Sequence, residues 1–138
     1  MDSVRTSLKN EAETRSLGAS LAGRLSAGDV VFLHGKLGAG KTTLVRGLLE
    51  ELGYDGPVRS PTFNIVQSFP TVPPVLHVDL FRVKTHVGLG LEDDLATHIA
   101  LIEWPERAAG LADETQVWNV TIDFDGDARV ATVTSPEP

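Results

Sequence analysis

Gly35-Lys36-Leu37-Gly38-Ala39-Gly40-Lys41-Thr42 sets a lysine and a hydroxyl behind three glycines. The stretch satisfies the pattern G-x-x-x-x-G-K-S/T in full. It also lies between an apolar strand-like run and a helix-forming one, the context that pattern requires. The spacing has a chemical reason. Glycines let the backbone curl so that successive N–H groups point inward at phosphate oxygens, and the following helix adds its positive N-terminal end. In such a loop Lys41 reaches the β- and γ-phosphates, and the Thr42 hydroxyl ligates Mg²⁺. A glycine-rich structural turn is the plain alternative, and the flanking strand and helix weigh against it.

The remaining chemistry of such a site comes from the C-terminal ends of neighbouring strands. Two acids are expected there. Asp79 ends the apolar stretch of His77-Val78-Asp79-Leu80-Phe81-Arg82, and Glu103 ends that of Ala100-Leu101-Ile102. Either acid alone reads equally well as a solvated strand terminus. Behind a phosphate loop, the two together suit a metal and a water that need ligands. Trp104 follows Glu103, and Pro105 then stops the strand, so Trp104 reads as a switch or partner residue or as plain rim packing. Thr62, in Ser60-Pro61-Thr62-Phe63, is placed to sense a γ-phosphate as a switch threonine does; a proline turn is its alternative. His34, His77, His86 and His98 show no ligand spacing and read as ordinary polar or rim positions, His77 being set apart only by its nearness to Asp79. The Asn-Lys-x-Asp motif of guanine-specific GTPases is absent, which leaves ATP favoured by default.

Positioning these residues takes an α/β fold. Asn10 with Glu13 resembles a capping box, and Leu17, Leu21 and Leu25 mark a helix over 11–25. Val30–Leu33 is a continuous apolar run of the kind found in buried parallel strands. A helix is expected from Lys41 to Leu52, closed by Gly53. Strands are expected at Phe63–Phe69, Val75–Phe81 and Ile99–Ile102, and a short acidic helix over 89–97. A two-stranded end follows, Val117–Phe124 and Ala128–Thr134, turning at Asp125-Gly126. The expected architecture is a P-loop NTPase-like mixed β-sheet flanked by helices, a single domain over 1–138 with 134–138 as a flexible tail.

Composition narrows the function. The chain has 138 residues, 41% hydrophobic and 22% charged, as a globular domain should. No apolar run approaches the about 20 residues that span a bilayer. The first residues carry no apolar signal segment, and there is no cysteine, so no membrane association and a cytoplasmic location are expected. Its 19 acidic residues outnumber 12 basic ones, a net charge of −7, and the basic residues are scattered. That balance disfavours holding nucleic acid directly, which relies on Lys and Arg neutralising phosphates.

Assembled, these features resemble the TsaE family of small P-loop ATPases in bacterial tRNA threonylcarbamoyladenosine synthesis. The resemblance rests on GKLGAGKTTLVRGLL, SPTFNIV, HVDLFRV, LGLEDDL and LIEWPERA, in family order and spacing over about residues 8–107. It implies ATP hydrolysis with Mg²⁺, slow in the isolated chain. The partner implied is the TsaB–TsaD complex, which modifies adenosine 37 of tRNA, so that tRNA is met only through the complex. Gly35 and Gly38–Thr43 (Gly38, Ala39, Gly40, Lys41, Thr42, Thr43) would wrap the phosphates, and Asp79 takes the Walker-B place. Glu103 would lie at the Mg²⁺ or attacking water, with Trp104 beside it and Thr62 in a switch-I-like element. Glu11 and Arg129 match positions near the nucleotide. Lys36 and Phe81 depart from the family, which usually has Asp and Tyr there.

Two rivals stand beside this reading. A small-molecule kinase would use the loop for phosphoryl transfer, but needs an acceptor pocket and usually an Arg-rich lid. A nucleotide-dependent binding switch would hydrolyse negligibly. No arginine finger is evident, although Arg82 and Arg107 are candidates in cis.

Overall fold

In the computed structural model, residues 2–58 and 65–136 are described. The strands buried at nearly every position form the middle of the sheet. These are β2 (Val30–His34), β4 (Val75–Asp79) and β5 (Ile99–Glu103), and β6 (Trp118–Asp125) joins them. In the sheet they run β6-β2-β5-β4, all parallel. Antiparallel strands extend both edges. β3 (Val66–Phe69) pairs with β4, while β7 (Ala128–Thr134) pairs with β6 and then with β1 (Ser3–Leu8). The result is the mixed sheet expected, in the order β1-β7-β6-β2-β5-β4-β3.

Alternation along the strands sorts the core into two faces. Val31, Leu33, Val75, Ile99 and Leu101 meet helices α1 (Glu11–Ala22) and α2 (Lys41–Glu51). Val30, Phe32, Leu76, Val78, Ala100 and Ile102 meet the loops of 80–98 and 105–117. The same parity puts His77, Asp79 and Glu103 on the helix face. Register then makes Asp79 and Glu103 direct neighbours.

The two helices cross with almost no gap. A Cβ on Gly18 would lie 2.1 Å from the Leu44 carbonyl oxygen, and one on Gly47 would lie 2.1 Å from that of Arg15. Only hydrogen fits at either place. The N-terminus of α1 is capped as expected: Glu13 N–H donates to Asn10 Oδ1 at 3.0 Å, while Lys9 N–H donates to Glu13 Oε1 at 2.8 Å.

Several expectations are corrected. β1 was not anticipated, because SVRTSL is polar and largely exposed. The helix over 89–97 is a single 3₁₀ turn at Leu91–Asp93. Nine residues are few for a helix, only Leu91 supplies a fully buried anchor, and Thr97 and His98 side chains bond the Asp94 carbonyl instead. α1 ends at Ala22, three residues early, with Gly23 as its C-cap. β4 stops at Asp79, whose carboxylate accepts the Phe81 N–H at 2.9 Å and bends the chain. Thr134 belongs to β7, and Ser135 N–H donates to Asp2 O at 2.9 Å.

Candidate functional site

A cleft of about 530 Å³ opens where α2 begins, above the C-terminal ends of β4 and β5. That volume lies within the usual range for small-molecule sites. Its floor is the loop from Leu37 to Thr43. Asn10, Glu11 and Thr14 at the start of α1 form one wall, Asp79, Phe81, Glu103 and Trp104 another, and Asp127–Arg129 of the β6–β7 turn a third. Glu11 and Arg129, which sequence joined only through the family resemblance, therefore meet the loop in space. Arg129 Nη2 donates to Gly38 O at 3.4 Å, and its guanidinium lies 4.1 Å from the Phe124 ring centroid. Thr62 lies outside the described residues.

The loop is built to present N–H groups. Gly40, the residue before α2, holds φ +113°, a conformation L side chains rarely adopt. No side chain caps α2, so its first amides and dipole face the cleft. Thr42 and Thr43 line it. Gly35 lies below the floor and contributes its carbonyl, which accepts the Lys41 ammonium at 2.7 Å.

Lys41 is 7% exposed and sits 3.3 Å from Glu103 Oε1. An ammonium has three donors, and among the described residues these two contacts occupy two of them. Glu103 is 5% exposed, and its Oε2 accepts from His77 Nε2 at 2.6 Å. An ionised carboxylate only accepts, so the proton of this bond is on His77 Nε2. Burial pushes the Glu103 carboxyl up. The hydrogen bond and field of His77, joined by the Lys41 ammonium, outweigh that and hold its pKa below the ordinary glutamate value.

The two candidate acids thus differ in kind. Asp79 is half-buried at the cleft wall, with one oxygen capping the Phe81 amide. Glu103 has one oxygen on Lys41 and the other on His77. Among the described residues no three His, Cys, Asp or Glu side chains gather as a metal cage. The Asp79 carboxylate and the Thr42 hydroxyl, both lining the cleft, are donors of the kind that suit Mg²⁺, which usually keeps waters and takes one or two carboxylates plus phosphate oxygens.

Trp104 takes φ 59° and ψ 55°, and it alone among the described non-glycine residues has positive φ. Such backbone costs of order 1–3 kcal/mol and persists where surroundings over-determine it. Its ring packs on Phe81 (centroids 4.8 Å apart), with the Lys41 ammonium 5.5 Å from its centroid. Arg107 ties the turn after Asp79 to the one after Trp104, within one wall. Its Nη1 donates to the carbonyls of Leu80 (3.2 Å), Phe81 and Val83 (2.9 Å). That guanidinium, a candidate finger by sequence, is spent on backbone. His77 was read as a rim position and is instead fully buried. Its placement two residues before Asp79 was the available signal, but nothing local marked its pairing with Glu103.

A glycine-rich phosphate-type loop at the C-terminal edge of a mixed sheet defines a P-loop NTPase-like α/β domain. The sequence matches the family profile described as threonylcarbamoyl adenosine biosynthesis protein TsaE over residues 8–131. The chain belongs to the TsaE family. It is similar to the tRNA threonylcarbamoyladenosine biosynthesis protein TsaE of Streptomyces coelicolor, 46% identical over 99 residues and covering 67% of each chain. The protein of the same name from Rickettsia bellii is 34% identical over 137 residues, covering 95% of this chain and 94% of its own. The crystal structure of Bacillus subtilis YdiB superposes with a TM-score of 0.85 at 28% identity, over 99% of this chain and 87% of that one. Among the described residues no helix is long and apolar enough to cross a membrane.

Proposed function

We propose that this chain is a Mg²⁺-dependent ATP hydrolase that binds the TsaB–TsaD complex and drives its cycling during threonylcarbamoyladenosine formation on tRNA. One observation carries the reading: the loop lysine, the first amides of α2 and the Asp79 carboxylate converge on a single cleft. Loop amides and Lys41 would bind the phosphates, while Thr42 and Asp79 would hold Mg²⁺. The metal supplies neutralisation of charge on the phosphate oxygens. The metal role expected of Glu103 passes to Asp79 in this reading, since Glu103 already balances the Lys41 ammonium and accepts from His77. Slow turnover of the isolated chain follows from two contacts. Glu103 offsets part of the Lys41 charge, and Arg107 is held on carbonyls. A net charge of −7 suits action on a protein complex that itself holds the tRNA.

A binding switch without hydrolysis is the second reading, favoured by Glu103 being enclosed between Lys41 and His77. Phosphate release from Mg-ATP by wild type and Asp79→Ala separates the two. Hydrolysis predicts turnover that the folded, nucleotide-bound variant loses, whereas equal rates refute it. Co-elution of the ATP-loaded chain with TsaB–TsaD is expected, and none in any nucleotide state refutes the partner.

A further inference from the structure

His77 is a fully buried polar side chain in contact with a cleft residue, Glu103, and has no part in the proposed reaction. It lies within β4, fully enclosed, and its Nδ1 has no hydrogen-bond partner among the described residues. Buried polar atoms are nearly always paired, so packing alone would favour an aliphatic side chain here. What the imidazole gains is Glu103 Oε2, at 2.6 Å. That contact decides what the other oxygen does. With Oε2 taken, Glu103 meets Lys41 through Oε1 alone, at 3.3 Å. Gly35 O takes a second lysine donor at 2.7 Å. Without His77, the buried carboxylate would be short of a donor and free to turn both oxygens onto the ammonium. Lys41 would then be drawn off the phosphate position by a stronger ion pair.

We propose that His77 is a positioning residue: it pins one oxygen of Glu103 so that the other steers Lys41 without capturing it. The proposal deepens the nucleotide reading and rests on it. His77→Leu keeps the volume and removes the donor, whereas the His77→Gln amide nitrogen reaches about as far as Nε2 and still donates. Trp104 reports on Lys41 directly, its ring centroid lying 5.5 Å from the ammonium. In a Trp118→Phe background, Trp104 emission without nucleotide should shift in His77→Leu and return in His77→Gln. Binding of fluorescent ATP and ADP analogues should show the ATP-over-ADP preference falling about tenfold in His77→Leu, the scale of a charge-assisted hydrogen bond, with most of it recovered by Gln. Unchanged emission and preference in a folded His77→Leu overturns the proposal, and so does a Gln variant as impaired as Leu. Should Leu not fold, nitrogen-15 NMR of the wild type decides. A slowly exchanging proton on His77 Nε2 that Glu103→Gln displaces is expected, and its absence overturns the proposal. If no form binds ATP, the nucleotide reading fails, while emission and NMR still test the His77–Glu103–Lys41 chain.

Discussion

Asp79 and Glu103 are direct partners in the parallel register of β4 and β5, yet they face different surroundings. Asp79 stands at the cleft wall with one oxygen on a local amide, while Glu103 is enclosed between Lys41 and His77. Two acids that look equivalent at strand ends are therefore separated by burial into different work. In the proposed reading, one would be available to a metal beside phosphate, and the other would position the lysine that meets the phosphate.

Substituting each should divide binding from folding. Asp79→Asn is expected to leave stability within about 0.5 kcal/mol, as at other half-exposed sites. It should reduce Mg-dependent phosphate release by about a hundredfold, the scale of losing one charge-stabilising contact. Nucleotide binding in EDTA should be unchanged. Glu103→Gln leaves the buried Lys41 ammonium without its anion and should destabilise the fold by about 3 kcal/mol. Urea unfolding of both variants, with phosphate release alongside, checks the division; a stable Glu103→Gln would overturn it.

Acid should erase the penalty of Glu103→Gln. The Glu103 pKa is lowered by folding, so its contribution is present above the unfolded value of about 4.3 and is lost as pH falls through the lower folded value. The stability gap between wild type and Glu103→Gln should stay level from neutral pH to about 5 and narrow below about 4.3. Urea midpoints across that range read it, and a gap that widens on acidification contradicts the assigned sign.

What sequence disclosed followed from how local each signal is. The phosphate loop declares itself within eight residues because its lysine, hydroxyl and glycines are neighbours in the chain. Val30–Leu33 and Ile99–Ile102 were legible as buried strands because burial on both faces demands unbroken apolar runs. The edge strand Ser3–Leu8 has no such demand; it is fixed by pairing with β7, 131 residues away at Ser3 and Thr134. His77 and Glu103 meet only through register, across 26 residues. The acidic run at 89–97 imitates a helix surface while lacking the buried stripe that would hold one.

The crossing of α1 and α2 reverses the usual sign of a glycine substitution. In an open helix interior, Gly→Ala stabilises by about 0.8–1 kcal/mol through propensity. At Gly47 the new methyl would stand 2.1 Å from the Arg15 carbonyl oxygen, and backbone cannot yield as a side-chain tip does. Gly47→Ala should therefore destabilise by about 2 kcal/mol or more, in the range of overpacked cores. Both helices begin at the cleft, so nucleotide affinity should fall with it. Gly23→Ala is the control, with φ −75° and its nearest contact at 3.6 Å; thermal unfolding should show it neutral or slightly stabilised.

Arg107 allows a sharper test, because its two candidate roles move different observables. As a finger acting on a phosphate, its loss would lower turnover and leave stability alone. As a clamp, its guanidinium joins the turn after Asp79 to the one after Trp104 by donating to the carbonyls of Leu80, Phe81 and Val83. Removing it takes a charged donor from three carbonyls, of which that of Leu80 keeps the Val83 N–H at 3.2 Å and that of Phe81 is exposed. Hydrogen bonds to a charged group contribute about 1.5–3 kcal/mol. Arg107→Ala should therefore lower stability by about 2 kcal/mol. The Phe81–Trp104 packing should loosen with it, since both rings hang from the released turns. Turnover should fall in step, through a displaced Asp79. Urea midpoints, Trp104 emission and phosphate release measured on one preparation settle the matter: lost turnover at wild-type stability and emission would reinstate the finger and remove the clamp.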